Sequence, residues 1–211
     1  MLASSRPLAC WIASSLGAKL IFVRVDIEEE APSDLLDYST ISTAFLVEKI
    51  LNFEDDGDEL RVSERFVDEP FWKDYDALET PVIWAERFDI SRWGLLGAFV
   101  DNRRVGGAII AFDSAGVEML EGRKDLAVLW DLRVHSEYRR KGIGAALFRA
   151  VEHWAASKGC IELKIETQNT NLPACRFYER QGCSLREVNP GAYPALPDEV
   201  QLIWSKTPRA F

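Results

Sequence analysis

Arg139, Arg140 and Lys141 stand directly before Gly142, and Gly144 follows two positions later. Cations beside residues without a Cβ offer one chemistry above others, the seating of a phosphate or pyrophosphate against the backbone. The position fits, because "DLAVLWDLRV" before it reads as a buried strand and "GIGAALFRAVEHW" after it reads as a helix. At such a junction the first N–H groups of the helix lack intrahelical partners and the helix dipole is positive. The plainer alternative is a helix start with a solvated basic turn, its glycines only permitting the bend. The Gly-Lys-Ser/Thr ending of a P-loop and the G-x-G-x-x-G dinucleotide fingerprint are both absent, so those nucleotide classes fall away. Two carboxylates are the other chemical candidates. Asp131 lies inside an otherwise apolar strand, where a lone carboxylate is costly unless it is paired, with Arg133 for instance, or used. Glu166 comes late in the strand-like "IELKIETQ", where it could accept a proton, attract a cation or simply face water.

The elements that position these residues follow from patterning. A chain of 211 residues with 47% hydrophobic and 11% aromatic content can bury one substantial core. "KLIFVRVDI" is a β-branched strand. "STAFLVEKILNFE" and "ELRVSERFV" flank the turn signal Asp56-Gly57, and "WGLLGAFVD" and "RVGGAIIAFD" flank a second hairpin turn. Ile143, Ala146, Leu147, Ala150, Val151 and Trp154 recur at helical spacing. "IELKIETQ" alternates Ile161, Leu163 and Ile165 with Glu162, Lys164 and Glu166. "LPACRFYERQG" opens near Pro173 and stops at Gly182, and strands near 183–188 and 199–205 complete the order. Hairpins first, then strand–helix–strand–helix–strand–strand, predict an α+β domain built on one mixed, mostly antiparallel sheet flanked by helices. Residues 19–211 read as a single domain, with 1–18 an extension of uncertain role. That extension loosely imitates a secretory signal. Its apolar run is interrupted by Ser14, Ser15, Gly17 and Lys19, however, so a helix, a strand or an over-long start is expected rather than export.

Charge bounds the partners. A formal net charge of -9 argues against a nucleic-acid surface or an anionic-membrane surface and suits a cationic partner. Cysteines at 10, 160, 175 and 183 form no C-x-x-C pair, and only two histidines accompany them. Neither a metal site nor a disulfide framework is expected, and a reducing, cytoplasmic location is the simplest home. "VDEPFWKDYD" interleaves acids with Phe71, Trp72 and Tyr75, a composition suited to a polyamine-like or aminoglycoside-like ligand, or to an aromatic lid with no selectivity.

Two blocks carry a resemblance. "VHSEYRRKGIGAALF" resembles the acetyl-CoA-binding signature of the GNAT acyltransferase superfamily, Arg/Gln-x-x-Gly-x-Gly/Ala, at Arg139, Gly142 and Gly144. "NLPACRFYERQGC" resembles that family's Asn-x-x-Ala-x-x-Phe-Tyr-Glu-x-x-Gly-Phe, with Cys183 in place of the final Phe. Within the superfamily, "IETQNTNLPACRFYERQG" is similar to streptothricin acetyltransferases, a class tied to antibiotic resistance. The resemblance covers about Trp93 to Ser205. It implies acetyl-CoA as co-substrate, with no metal. The pyrophosphate would lie on the N–H groups of Arg140, Lys141, Gly142, Ile143, Gly144 and Ala145. The pantetheine arm would lie along Leu132, Arg133 and Val134, with Asn171 bonding its amides, and the sheet would splay between that strand and the next. It further implies that Tyr178 protonates the departing thiolate, while Asp131 or Glu166 serves the attacking amine. A small cationic amine, streptothricin among the candidates, is the implied acceptor, and the protein would be a monomer or homodimer. Acetylation of a protein N-terminus or lysine, or a non-catalytic acyl-CoA-binding role, are the alternatives.

Overall fold

The computed structural model describes residues 8–16, 19–55, 57 and 60–210. In chain order its strands are β1 (Leu8–Leu16), β2 (Lys19–Glu30), β3 (Phe45–Asp55), β4 (Leu60–Lys73), β5 (Gly94–Val100), β6 (Arg103–Phe112), β7 (Leu126–Val134), β8 (Glu162–Gln168), β9 (Ser184–Pro190) and β10 (Val200–Lys206). The helices are the short α1 (Leu35–Tyr38) and α2 (Trp84–Arg87), then α3 (Ile143–Ser157) and α4 (Leu172–Arg180). Contacts divide the chain into two compact units. One holds the described residues up to Thr43 with Asp76–Leu163 and those from Thr207, and the other holds Ala44–Tyr75 with Lys164–Lys206.

In the first unit the strands run in the order β1-β2-β5-β6-β7, each antiparallel to its neighbour. Residues 1–7, 17 and 18 of the N-terminal segment lie outside the described residues, and Leu8–Leu16 pairs with β2 from Leu8 opposite Ile27 to Leu16 opposite Lys19. β5, and β6 from Val105 onward, are nearly continuous runs of buried residues, as their uncharged sequences require. α3 packs on β5, β6 and β7, burying Ile143, Leu147, Val151 and Trp154 at the period read from the sequence. Gly107 in β6 is a close-approach glycine. A Cβ there would stand 2.7 Å from Tyr38 Cε2 and 2.8 Å from the Leu96 carbonyl oxygen. The missing methyl seats the Tyr38 ring, which is wholly buried.

β7 carries a bulge. Ile109 pairs with Asp131 and Ile110 with Leu129, so Trp130 is the extra residue. Its ring lies 5.4 Å from Trp93, 5.5 Å from Phe88 and 6.3 Å from Trp84. A bulge of this kind changes which face the following side chains take. The strand passes from buried Leu126–Leu129 to the half-buried Trp130, Asp131 and Leu132 at this point.

In the second unit β3 and β4 form an antiparallel hairpin, with Phe45 opposite Lys73, while β8, β10 and β9 are neighbours in that order. Asp56, half of the Asp56-Gly57 turn signal, lies outside the described residues. β8 alternates as read: Leu163, Ile165 and Thr167 are buried, while Glu162, Lys164, Glu166 and Gln168 are half-buried. Its first expected residue differs: Ile161 precedes the strand and is 61% exposed, with its N–H bonded to the Asp125 carbonyl at 2.8 Å. Asn169, just after β8, is a buried staple. Its N–H and Oδ1 bond Val200, and its carbonyl and Nδ2 bond Leu51, at 2.9 to 3.2 Å. Within "VDEPFWKDYD", Trp72 is 72% exposed while Lys73 is buried against the Glu199 carboxylate and the Thr170 hydroxyl.

A buried ion pair is strongly destabilised when one partner is removed, since the other charge stays behind. Lys73→Ala should therefore lower unfolding free energy by about 3 kcal/mol. The double replacement Lys73→Met with Glu199→Leu should recover most of the loss. Urea titrations of the three proteins check this, and an unchanged midpoint for Lys73→Ala would refute the pair's role.

Candidate functional site

α3 begins on Gly142, whose φ is 90° and whose hydrogen side chain makes no cap bond. The first intrahelical bond runs from Ala146 N–H to the Gly142 carbonyl at 3.0 Å, so the N–H groups of Ile143, Gly144 and Ala145 precede the helical ladder. α4 shows the contrast. There Asn171 Oδ1 accepts from Ala174 N–H at 3.2 Å and closes the first turn. An uncapped helix start with the positive end of its dipole is a cradle for an anion, and the 15 residues of α3 give that dipole full length.

The basic turn divides its labour. Arg139 Nε donates to the Val134 carbonyl at 3.0 Å, and its Nη2 reaches the Ser42 carbonyl at 3.5 Å, so this guanidinium braces the turn against the end of β7. Arg140 is exposed and held at φ 60°, a left-handed conformation costing a non-glycine residue about 1 kcal/mol. Lys141 Nζ lies 5.0 Å from the centre of the Tyr138 ring. Leu132, Arg133 and Val134 pair along β6 with Ala108, Gly107 and Gly106.

Arg133 points away from any phosphate role. It is 4% exposed, and its Nε and Nη2 both bond Asp131 Oδ2, the former at 2.8 Å. Nη1 bonds the Ile41 carbonyl at 2.8 Å and approaches Asp76 Oδ1 at 3.1 Å, and the guanidinium lies 4.8 Å from the Tyr38 ring centre. Burial pushes the Asp131 carboxyl above its ordinary value, against the pull of the Arg133 guanidinium. Of the two uses weighed for Asp131, the ion pair with Arg133 is present in the fold. Asp76 and Tyr38 complete that cluster, and no spacing rule in the sequence pointed to either.

The second unit holds the remaining site residues. Tyr178 is buried on α4 with its ring 5.1 Å from Phe177, and its carbonyl accepts the Cys183 N–H at 3.0 Å. Glu166 is met by donors on both oxygens. Tyr193 Oη donates to Oε1 at 2.6 Å, Gln201 Nε2 to Oε2 at 2.9 Å, and Gln168 Nε2 stands 3.5 Å from Oε1. Gln168 Nε2 also donates to Tyr193 Oη at 2.9 Å, and its Oε1 accepts from Tyr75, whose hydroxyl in turn accepts from Asn171 Nδ2 at 3.4 Å. Asn171 and Glu166 are thus ends of one hydrogen-bonded chain, whereas Asp131 and Glu166 have separate partners. Gln168 could have been found from the period of two that places it on the face of Glu166. Tyr193 and Gln201 carry no local signal. Among the described residues no cluster of His, Cys, Asp and Glu is arranged to hold a metal.

The chain is similar to known acetyltransferases. The chain is 29% identical over 111 residues to the streptothricin acetyltransferase of Escherichia coli, covering 51% of this chain and 59% of that protein, less than two thirds of its length. It is 27% identical over 143 residues to streptothricin acetyltransferase A of Bacillus subtilis (strain 168), covering 67% and 75%. A Bacillus anthracis structure assigned as a streptothricin acetyltransferase and solved in complex with acetyl coenzyme A superposes with a TM-score of 0.69. It is 24% identical and covers 87% of this chain and 99% of that one, a likeness of fold. The α+β architecture with antiparallel strands and flanking helices is the one the patterning predicted. The model of the Acetyltransferase (GNAT) family matches residues 57–183, which contain the Gly142 turn, α3 and α4, and the chain belongs to that family.

Proposed function

We propose that this protein is an acetyl-CoA-dependent N-acetyltransferase that transfers the acetyl group to a primary amine of a small cationic acceptor, streptothricin being the sharpest candidate. The observation that carries the reading is the glycine-started α3, whose first N–H groups are left for an anion beside Arg140 and Lys141. The pyrophosphate of acetyl-CoA supplies that anion, and Leu132, Arg133 and Val134 offer backbone groups to its pantetheine arm.

The chemistry asks for a neutral amine, a stabilised carbonyl oxygen and a protonated leaving group. The amine nitrogen attacks the thioester carbon, the C–S bond breaks, and Tyr178 gives its phenolic proton to the thiolate. Asp131 has its Oδ2, and Glu166 both its oxygens, met by donors. Each therefore acts on the acceptor chiefly as a fixed negative charge, and water carries the amine proton away. A net charge of -9 adds a long-range field that draws in cations. The streptothricin candidate rests on the two relatives of that name, at 29% and 27% identity.

Gly142→Val places a branched side chain at a positive φ where the pyrophosphate would press, so CoA affinity should fall at least about tenfold in calorimetry while the melting profile persists. Unchanged affinity in that folded variant would remove the turn from cofactor binding. Thiol release from acetyl-CoA, followed across a panel of amines, tests transfer itself; CoA binding without thiol release for any amine would leave a binding domain.

Tyr178→Phe separates its two roles. A proton donor predicts a fall in kcat of about a hundredfold with little change in the KM for acetyl-CoA, whereas a packing aromatic predicts near-normal turnover.

A further inference from the structure

The chain Asn171–Tyr75–Gln168–Tyr193–Glu166 has a direction. Tyr75 donates to the Gln168 carbonyl oxygen, the Gln168 amide donates to Tyr193, and Tyr193 donates to Glu166. Every proton in that series points toward the one carboxylate, and Gln201 reaches its other oxygen from β10. Such a series polarises cooperatively and strengthens toward its anionic end. It does not conduct protons, because the amide of Gln168 stands between the two phenols and neither loses nor gains a proton near neutral pH. Burial, with the neighbouring Glu166 charge, pushes the Tyr193 hydroxyl well above its ordinary value, so it stays protonated and donating. Glu166 is half-buried.

A carboxylate whose two oxygens are both fixed by donors is a rigidly oriented counter-ion. We propose that Glu166 is the anchor for a second, non-reacting ammonium of a polycationic acceptor, and that Tyr193 is the positioning residue that fixes this carboxylate. The inference rests on the acyl-transfer reading for the word acceptor, but the anion site stands on its own contacts. Tyr193 lies in the turn between β9 and β10, where its neighbours from Gly191 to Asp198 are mostly exposed. Tyr193 ties this exposed stretch inward, to Glu166 and Gln168.

The test uses the full chain loaded with CoA and spermidine as the probe, with propylamine as the single-charge control. Calorimetry should show Glu166→Gln weakening spermidine binding at least about tenfold while propylamine and acetyl-CoA affinities stay within about twofold of the parent. Tyr193→Phe, which keeps the ring and removes only the donor, should weaken spermidine about threefold to tenfold in the same pattern. Where spermidine is turned over, Tyr193→Phe should raise its KM more than it lowers kcat, a split that general structural damage does not give. Spermidine affinity unchanged in folded Glu166→Gln, absence of spermidine binding to the parent, or an equal loss for propylamine each overturns the assignment. Failure of the acyl-transfer reading looks different: acetyl-CoA then fails to bind, or binds and never yields free thiol.

Discussion

A helix that starts on glycine cannot satisfy its own first turn, and the first unit is arranged around that deficit. Gly142 accepts the first ladder bond through its carbonyl yet offers no side chain to the N–H groups above it. Everything beside it keeps that end of the helix in place. α3 is fixed by a continuous apolar stripe on β5, β6 and β7, so the dipole cannot swing. Arg139 ties the turn to the last residue of β7 through the Val134 carbonyl. The left-handed Arg140 is the strained residue of this turn, held between the Arg139 brace and the start of α3.

Polar groups inside each unit set geometry more than stability. Buried ion pairs gain little net free energy because desolvation offsets the Coulomb attraction. What they do well is hold groups in register. Arg133 joins β7 to the Ile41 carbonyl and to Asp76 while lying over the Tyr38 ring that Gly107 makes room for. A methyl group on Gly107 would move Tyr38 and, through it, the guanidinium. In the other unit Asn169 and the Lys73–Glu199 pair serve the same end, joining segments that are distant in sequence.

Much of this was legible before any coordinates, for a physical reason. Period-two and period-3.6 patterns are imposed by burial, so β8 and α3 follow directly from Leu163, Ile165, Ile143, Leu147 and Val151. The Gly142 turn was legible because a positive φ at a strand-to-helix junction favours glycine. α1 and α2 were not, since four-residue helices carry too little period to register. The partners of Asp131 and Glu166 were hidden for a different reason. Asp76 and Tyr38 lie 55 and 93 positions before Asp131, Tyr193 lies 27 after Glu166, and no local rule reports a pairing that only the folded chain creates.

The helix-end donors and the Glu166 array answer to separate sets of packed neighbours, one set within Asp76–Leu163 and the other within Ala44–Tyr75 and Lys164–Lys206. Within the second unit Tyr193 lies in a mostly exposed stretch yet carries the donor nearest to Glu166 Oε1. The orientation of a half-buried carboxylate is thus in the keeping of a surface turn, where one phenol lost by substitution would loosen a group 27 positions away.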